Sequence, residues 1–352
     1  MWLTQAERSL TALIVVEDTR DVRLTQAERS LTAFGEIHAW HPAATDLTLS
    51  CMTTPRKLLV DPQTPLFYHL GSRCVRRGWL CGYDPVSRKD YTYRKQWILD
   101  RLEQLTPAFA LEVHAYAIMS NHFHLVVYFD PCANQSWSDA EVVQRWLTAH
   151  PPKKPDGSLD EERRSWLSET LLDQPLRVAQ MRQALGSLSY FMQQLKQPLA
   201  RRANLEDDCS GHFFEQRFYS GALLDDAAVM ASLAYVDLNP IRAQIADSIA
   251  TAHFTSAQAR SVTLADAGDL EAYLAPVMTG LPRTVRLTIT VRDYLARLEE
   301  LLPGAPTRAG FHRWRDQVAA LKRRQRAYGG LSVLKAWIEQ RGLQLREVPL
   351  PE

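Results

Sequence analysis

The alternating pattern of residues 120–129, SNHFHLVVYF, limits the fold more than any other feature of the sequence. In a β-strand, successive side chains point to opposite faces, so every second residue of this segment shares a face. The apolar side chains on one face are Phe123, Leu125, Val127 and Phe129. His122 and His124 therefore stand together on the other face. Because imidazole is the commonest metal ligand in proteins, the pair predicts half of a divalent-metal site; a hydrogen-bonded or surface histidine pair is the alternative.

A second constraint is the segment 225–243, DDAAVMASLAYVDLNPIRA, which predicts a single helix. An aspartate at the start is a favourable N-cap, and the alanine-rich sequence behind it favours helix. Tyr235 and Asn239 are four residues apart, so both project from the same helical face. A phenol can attack as a nucleophile, and an amide oxygen is a ligand suited to Mg²⁺ or Mn²⁺. The alternative is a half-buried tyrosine and an asparagine near the helix end before Pro240.

Together the two motifs resemble a known family. The segments NHFHLVV and LAYVDLNPIRA are similar to the two catalytic motifs of single-tyrosine HUH transposases, and specifically of the REP-associated tyrosine transposases. Three further segments, FYHLGSRCVRRG, LSYFMQQLKQPLARRAN and GHFFEQRFYSGALLDDAA, resemble the long bacterial branch of that family. The resemblance covers residues 57–250, and several motifs in the family's order are more specific than any one of them.

The order of the predicted elements is strand, helix, strand, strand, helix, strand, helix, which is typical of a split βαβ unit. We therefore predict an α+β fold with a ferredoxin-like or RRM-like antiparallel sheet, and the resemblance implies the HUH palm. The expected organisation is an N-terminal extension over residues 1–51, a catalytic domain over 52–250 and a helical, basic C-terminal region over 251–352. The polar segment 130–177 is interpreted as a helical insertion, followed by one helix over 178–204.

The N-terminal extension carries an exact repeat, LTQAERSLTA, at residues 3–12 and 24–33. Repeat architectures need about three or more units, so two undiverged copies indicate recently duplicated DNA rather than a solenoid. Our hypothesis is that residues 1–51 are translated upstream sequence and that the native chain starts at Met52. The alternative is a helical extension that packs on the domain.

The charge distribution bears on nucleic-acid binding. The formal net charge is only +1, so any such binding depends on local patches. Residues 66–101 contain eight basic against three acidic side chains, interleaved with tryptophan and tyrosine, and 310–342 is the most basic stretch. This combination suits phosphates and stacked bases, although a solvated charged face is the alternative. The predicted DNA contacts are Arg73, Arg76, Arg77, Arg94, Lys95, Lys196, Arg201, Arg202, Arg217, Arg323 and Arg324.

Cysteine spacing and hydropathy indicate the compartment. The five cysteines form no CxxC pair, which argues against a zinc ribbon or a disulfide framework and favours a reducing cytoplasm. No apolar run reaches the roughly 18 residues of a membrane span, and no signal peptide is readable. With the resemblance, these features predict a cytoplasmic, nucleoid-associated bacterial protein without membrane contact, either monomer or homodimer.

The resemblance also implies a reaction. Mg²⁺ or Mn²⁺ held by His122, His124 and Asn239 would polarise the scissile phosphate, and Tyr235 would attack it. The products would be a 5′-phosphotyrosine and a free 3′-OH, on single-stranded DNA beside a REP-like palindromic hairpin, with rejoining by the 3′-OH of another strand. Two alternatives are a non-catalytic hairpin-binding repressor and a plasmid-type replication nickase.

Overall fold

The computed structural model describes residues 56–215, 217–267, 272–282, 284–302, 304–305, 312–322 and 326–343. The N-terminal extension with its repeat, the hypothetical start at Met52, and Arg323 and Arg324 lie outside these ranges. The strands are β1 (Leu66–Arg73), β2 (Tyr83–Asp84), β3 (Lys89–Asp90), β4 (Leu111–Ile118), β5 (His122–Phe129), β6 (Tyr219–Leu223), β7 (Met278–Thr279) and β8 (Ala327–Tyr328). The helices are α1 (Arg56–Leu59), α2 (Arg94–Leu105), α3 (Asp139–Ala149), α4 (Glu161–Leu172), α5 (Pro175–Leu185), α6 (Leu188–Glu206), α7 (Asp226–Asp237), α8 (Asn239–Arg242), α9 (Ser256–Ala267), α10 (Val291–Glu300), α11 (His312–Ala320) and α12 (Leu331–Gln340).

A six-stranded sheet in the order β7-β4-β5-β1-β6-β8 forms the centre of the described fold. Its neighbours run antiparallel, except that β8 is parallel to β6. In the central pair, Leu66 of β1 lies opposite Phe129 of β5, and Arg73 lies opposite His122. The sheet with its many helices confirms the predicted α+β class.

Helices cover both faces of the sheet. The four apolar side chains that alternate along β5 are buried in one core, which also contains residues of α2, α3, α5 and α6. Val126 of β5 belongs to the other core, which packs beneath α7 and includes residues of α10 and of the segments around α9 and α11. His124 shares this second face and is buried there. Because α7 lies on that face, the side chains of the helix reach the two central strands.

Two helices predicted as continuous are interrupted. The helix predicted over 178–204 is instead α5 followed by α6, with a break at Gly186 and Ser187. A Cβ on Gly186 would lie 2.2 Å from the Asn134 side-chain nitrogen, and the Ser187 side chain accepts from the Tyr190 backbone N–H to start α6. The helix predicted over 225–243 is α7 and α8, separated by Leu238. Pro240 causes this second break because it has no N–H to continue the hydrogen-bond ladder.

The part of the chain after residue 250 contributes to the sheet as well as to the helices. The strand β7 pairs with β4 at one edge, and β8 pairs with β6 at the other. In the helical C-terminal region predicted over 251–352, β8 and the adjacent Gly329 and Gly330 lie between α11 and α12. Glycine favours such a break because it loses more conformational freedom in a helix than any other residue does. Within the described residues, no helix combines the length and the apolar character that a bilayer span needs.

Candidate active site

Adjacent strands bring two buried histidines into contact. His69 of β1 and His124 of β5 lie on the face beneath α7, with His69 opposite Val126 and Gly71 opposite His124 in the strand register. The Nε2 atom of His69 lies 2.9 Å from the Nδ1 atom of His124, a hydrogen-bond distance. The side chains are 1% and 5% exposed, so this hydrogen bond is protected from water.

Gly71 creates the space that the His124 ring occupies. A Cβ at position 71 would lie 3.2 Å from His124 Nδ1 and 3.4 Å from Cε1, tighter than an ordinary contact. The glycine therefore leaves room for the His124 ring beside β1, where its Nδ1 reaches His69. Its role here is steric and does not depend on an unusual backbone conformation.

His122 stands at the first position of β5, next to His124 on the same face. Its Nδ1 lies 2.6 Å from the Asn121 side-chain oxygen, and because an amide oxygen only accepts, Nδ1 carries the proton. The rings of His122 and His124 have centroids 5.0 Å apart at an interplanar angle of 85°. The turn before β5 is fixed by the Cys74 N–H, which donates to the Asn121 carbonyl at 2.8 Å, and by the Cys81 N–H, which donates to that of Ser120 at 2.8 Å.

Tyr235 reaches the histidines from α7. The Asp225 carboxylate starts this helix by accepting from the Ala228 N–H at 2.8 Å. Nearly three turns later, the half-buried Tyr235 ring meets both His69 and His124 edge to face, with centroid distances of 5.7 Å. The structure thus brings the Tyr235 phenol together with His124 and His69, which lie 111 and 166 residues earlier in the sequence.

Asn239 lies just beyond the end of α7. It is half-buried and is the first residue of α8, after the break at Leu238. The sequence predicted Tyr235 and Asn239 on one face of a single helix, whereas in the structure they belong to two helices. Its backbone carbonyl accepts from the Ala243 N–H at 3.0 Å. The role of Asn239 as a metal ligand stays a prediction.

His69 was not identified from the sequence as a site residue. The alternation of Phe67, His69 and Gly71 along β1 is the signal that could have revealed it, because it places His69 on one strand face next to a small residue. The position of that face opposite His124 depends on the pairing of β1 with β5. That pairing is set by tertiary structure.

Two further side chains missed in the sequence flank the site. The Arg242 guanidinium lies 5.2 Å from the centroid of the Tyr235 ring, within the range of a cation–π contact. On the other side, the Tyr219 ring lies 5.4 Å from that of His69. The Tyr219 hydroxyl is 2.7 Å from the Tyr328 hydroxyl, which links the site to β8.

The histidine pair is suited to a divalent cation. A ligating imidazole is usually held by a hydrogen bond through its other ring nitrogen, and here both Nδ1 atoms have such partners, His69 for His124 and Asn121 for His122. In the described part of the chain, no three His, Cys, Asp or Glu side chains are grouped to hold a metal.

Two of the predicted DNA contacts are enclosed by the fold. Arg94 is 1% exposed, and its guanidinium lies 2.8 Å from Glu206 and 2.5 Å from Asp207. Lys95 is also buried, and burial lowers the pKa of its ammonium group. The charge pattern had indicated solvent-facing positions for both. The Arg94 charge is instead matched by two carboxylates of the same chain, which fixes α2 against the end of α6.

Other predicted contacts lie at the surface. Exposed side chains are those of Arg76, Arg201, Arg202 and Arg217. The Arg202 guanidinium lies 3.7 Å from the centroid of the Trp97 ring. Lys196 donates to the Glu215 carbonyl at 3.1 Å, and Arg73 is half-buried opposite His122. The Arg77 side chain, like Arg323 and Arg324, lies outside the described parts.

No protein-family model matches the chain, and no curated protein matches it. A solved structure that is similar to part of it is a REP-associated tyrosine transposase bound to a REP hairpin. The sequence identity is 12%, the TM-score is 0.30, and the match covers 56% of this chain and 79% of that one. A likeness of this extent is distant and carries no functional conclusion.

Proposed function

We propose that this protein is a metal-dependent DNA nicking and joining enzyme with a single tyrosine nucleophile. The observation that carries the proposal is the meeting of Tyr235 with His124 and His69 at ring distances of 5.7 Å, beside His122. Packing in the core is enough to explain one buried tyrosine or one buried histidine. It does not explain two adjacent imidazoles with oriented Nδ1 atoms next to a half-buried phenol.

The reaction is a transfer of a phosphodiester to the tyrosine. The Tyr235 oxygen attacks the phosphorus, the bond to the 3′ oxygen breaks, and the DNA 5′ end becomes linked to the tyrosine with release of a 3′-OH. Attack by the 3′-OH of another strand reverses the linkage and joins the two strands. In this proposal His122, His124 and Asn239 would hold Mg²⁺ or Mn²⁺, which would supply positive charge to stabilise the negative charge that accumulates on the phosphate in the transition state.

The substrate is single-stranded DNA next to a palindromic hairpin. The exposed arginines at positions 76, 201, 202 and 217 are the proposed phosphate contacts, together with Arg242 over the face of the Tyr235 ring. Arginine suits this role because its planar guanidinium binds phosphate through paired hydrogen bonds. The proposed biological role is transposition or a related DNA recombination in the cytoplasm. The proposed scaffold for this reaction is a ferredoxin-like HUH palm formed by the central strands.

A labelled hairpin oligonucleotide with a single-stranded flank tests this proposal directly. In Mn²⁺, the full chain should form a covalent adduct that survives denaturing electrophoresis and is removed by protease digestion. Tyr235→Phe should lower cleavage more than about a thousandfold, because the attacking oxygen is lost while the ring is kept. Hairpin affinity should change little.

Tyr128→Phe is the matched control for this experiment. Tyr128 is a half-buried phenol at the opposite end of β5, packed against Phe67, so its loss should leave cleavage intact. His122→Ala and His124→Ala should each abolish metal-dependent cleavage, and EDTA should do the same. Hairpin binding without any adduct in the wild-type chain would contradict the enzyme and support a hairpin-binding repressor. Cleavage retained in Tyr235→Phe would remove Tyr235 as nucleophile.

A further inference from the structure

We infer that His69 is a positioning residue that fixes the tautomer of His124. In this arrangement the His124 Nδ1–H donates to His69 Nε2, and Nε2 of His124 is the basic nitrogen of that ring. The inference deepens the proposed function, on which it rests for the identity of the metal ligand. The tautomer itself is a property of the metal-free chain.

The hydrogen bond between the two rings requires one proton between two nitrogens. Their separation of 2.9 Å is normal for a direct hydrogen bond, and the strand pairing of β1 with β5 holds the two backbones in register. If His69 donated instead, His124 would carry its proton on Nε2, and that nitrogen could not coordinate a cation. The direction of one buried hydrogen bond therefore decides whether His124 is ready to act as a ligand.

Aromatic neighbours hold the His69 ring in place. The rings of Tyr219 and Tyr235 meet it edge to face at centroid distances of 5.4 Å and 5.7 Å. Tyr219 is itself held by its hydroxyl contact with Tyr328 of β8. The His69 side chain is 1% exposed, so rotation away from His124 would require repacking of this face. The ring is thus packed on the sides away from its hydrogen bond.

The geometry separates this role from direct metal binding. The Nε2 atom of His69 faces His124 Nδ1, so this nitrogen is used in the contact between the rings. Partners of this kind orient the ligand ring, and their loss typically weakens metal affinity about 10- to 100-fold. His69 should therefore affect the affinity for the cation strongly while the two ligand rings remain in the chain.

The test uses the full chain with ¹⁵N-labelled histidine and has two readouts. In the metal-free protein, ¹⁵N NMR reports which His124 nitrogen carries the proton, with the signals assigned by their loss in His124→Ala. Mn²⁺ titration followed by electron paramagnetic resonance then measures metal affinity without any DNA. The variants are His69→Phe, which removes the acceptor, and His69→Gln, whose terminal amide can reach the position of Nε2. His114→Gln is the control, because His114 is a buried histidine on β4 outside the site.

We expect the wild-type His124 to carry its proton on Nδ1. His69→Phe should produce mixed tautomers and weaken Mn²⁺ binding about 10- to 100-fold, while His69→Gln should restore most of the affinity. His114→Gln should leave the affinity unchanged.

A wild-type His124 protonated on Nε2 would overturn the inference. An unchanged His124 tautomer and unchanged Mn²⁺ affinity in both His69 variants would overturn it as well. Should His69→Phe fail to fold, the wild-type tautomer and the His69→Gln titration still decide. A wild-type chain that binds no Mn²⁺ would count against the proposed function alone, because the tautomer readout would still decide for or against His69.

Discussion

The helix α7 contributes to two polar clusters, one through Tyr235 and the other through Asp237. The two clusters differ in how far they are exposed to solvent. Tyr235 faces His69 and His124 at the half-open site. Asp237 faces away from it and is 1% exposed. The carboxylate of Asp237 accepts from the Tyr294 hydroxyl at 2.5 Å, from the Ala257 N–H at 2.8 Å and from the Ser256 hydroxyl, and the Arg260 guanidinium lies 3.9 Å away.

The difference between the clusters lies in how completely they are enclosed. Each carboxylate oxygen of Asp237 has a hydrogen-bond donor from the fold, as buried polar groups usually require. Burial raises the pKa of this carboxyl, and Arg260 together with the hydrogen-bond donors opposes that rise. Tyr235 keeps part of its surface open to solvent. The enclosed cluster around Asp237 therefore fixes α7 in place, whereas the cluster around Tyr235 on the same helix stays accessible to solvent.

The largest expected effect on stability comes from breaking the enclosed cluster. Asp237→Ala should lower the free energy of unfolding by about 3–5 kcal/mol, because Arg260 and the buried donors lose their common acceptor. Asp237→Asn should cost less, since it keeps one acceptor oxygen. Urea denaturation of the full chain measures both. Asp247→Ala, at an exposed carboxylate, is the control, and an equal loss there would contradict the comparison.

A smaller effect is expected from crowding the half-open cluster. Gly71→Ala places a Cβ 3.2 Å from His124 Nδ1, so the His124 ring must give way by a few tenths of an ångström. We expect a loss of about 1–3 kcal/mol in the free energy of unfolding, as for other overpacked sites, together with weaker Mn²⁺ binding. Gly330→Ala is the matched control, because its Cβ would have no neighbour closer than 3.6 Å. Unchanged Mn²⁺ affinity in Gly71→Ala would show that His124 tolerates displacement.

A separate buried pair, His114 and Glu112, should make the free energy of unfolding depend on pH. His114 lies 3.3 Å from Glu112, and burial lowers the pKa of His114 below its ordinary value of 6.5, against the raising effect of Glu112. Below pH 6.5 the unfolded chain therefore binds a proton that the folded chain does not. The free energy of unfolding should fall as the pH drops from about 7 to 5. His114→Gln should reduce that slope, and an identical slope in denaturation curves would contradict this assignment.

The smallest effect is expected from removal of residues 1–51. This segment has seven acidic residues against four arginines, so it should not aid binding to DNA. A chain beginning at Met52 should keep the melting temperature, hairpin affinity and cleavage of the full chain. A loss of several degrees, or of about tenfold in affinity, would show instead that the repeated segment packs on the domain.

Local patterns in the sequence were sufficient for some elements. The period of two in residues 122–129 predicted β5 and the face of each of its side chains, because alternation is a property of the extended chain itself. The alanine-rich segment with its aspartate cap predicted α7, since helix propensity and capping act over a few residues. The histidine pair and the tyrosine could therefore be proposed as site residues before their distances were known.

Contacts between distant segments were decided only by the tertiary structure. The partnership of His69 with His124 depends on strand register across 55 residues, and the burial of Arg94 depends on Glu206 and Asp207 more than 110 residues away. The edge strands β7 and β8 are two residues each, too short to carry a periodic signal. Local sequence records which side chains share a face, whereas the partners of those faces follow from how the whole chain packs, and in this protein that packing is what unites the candidate site.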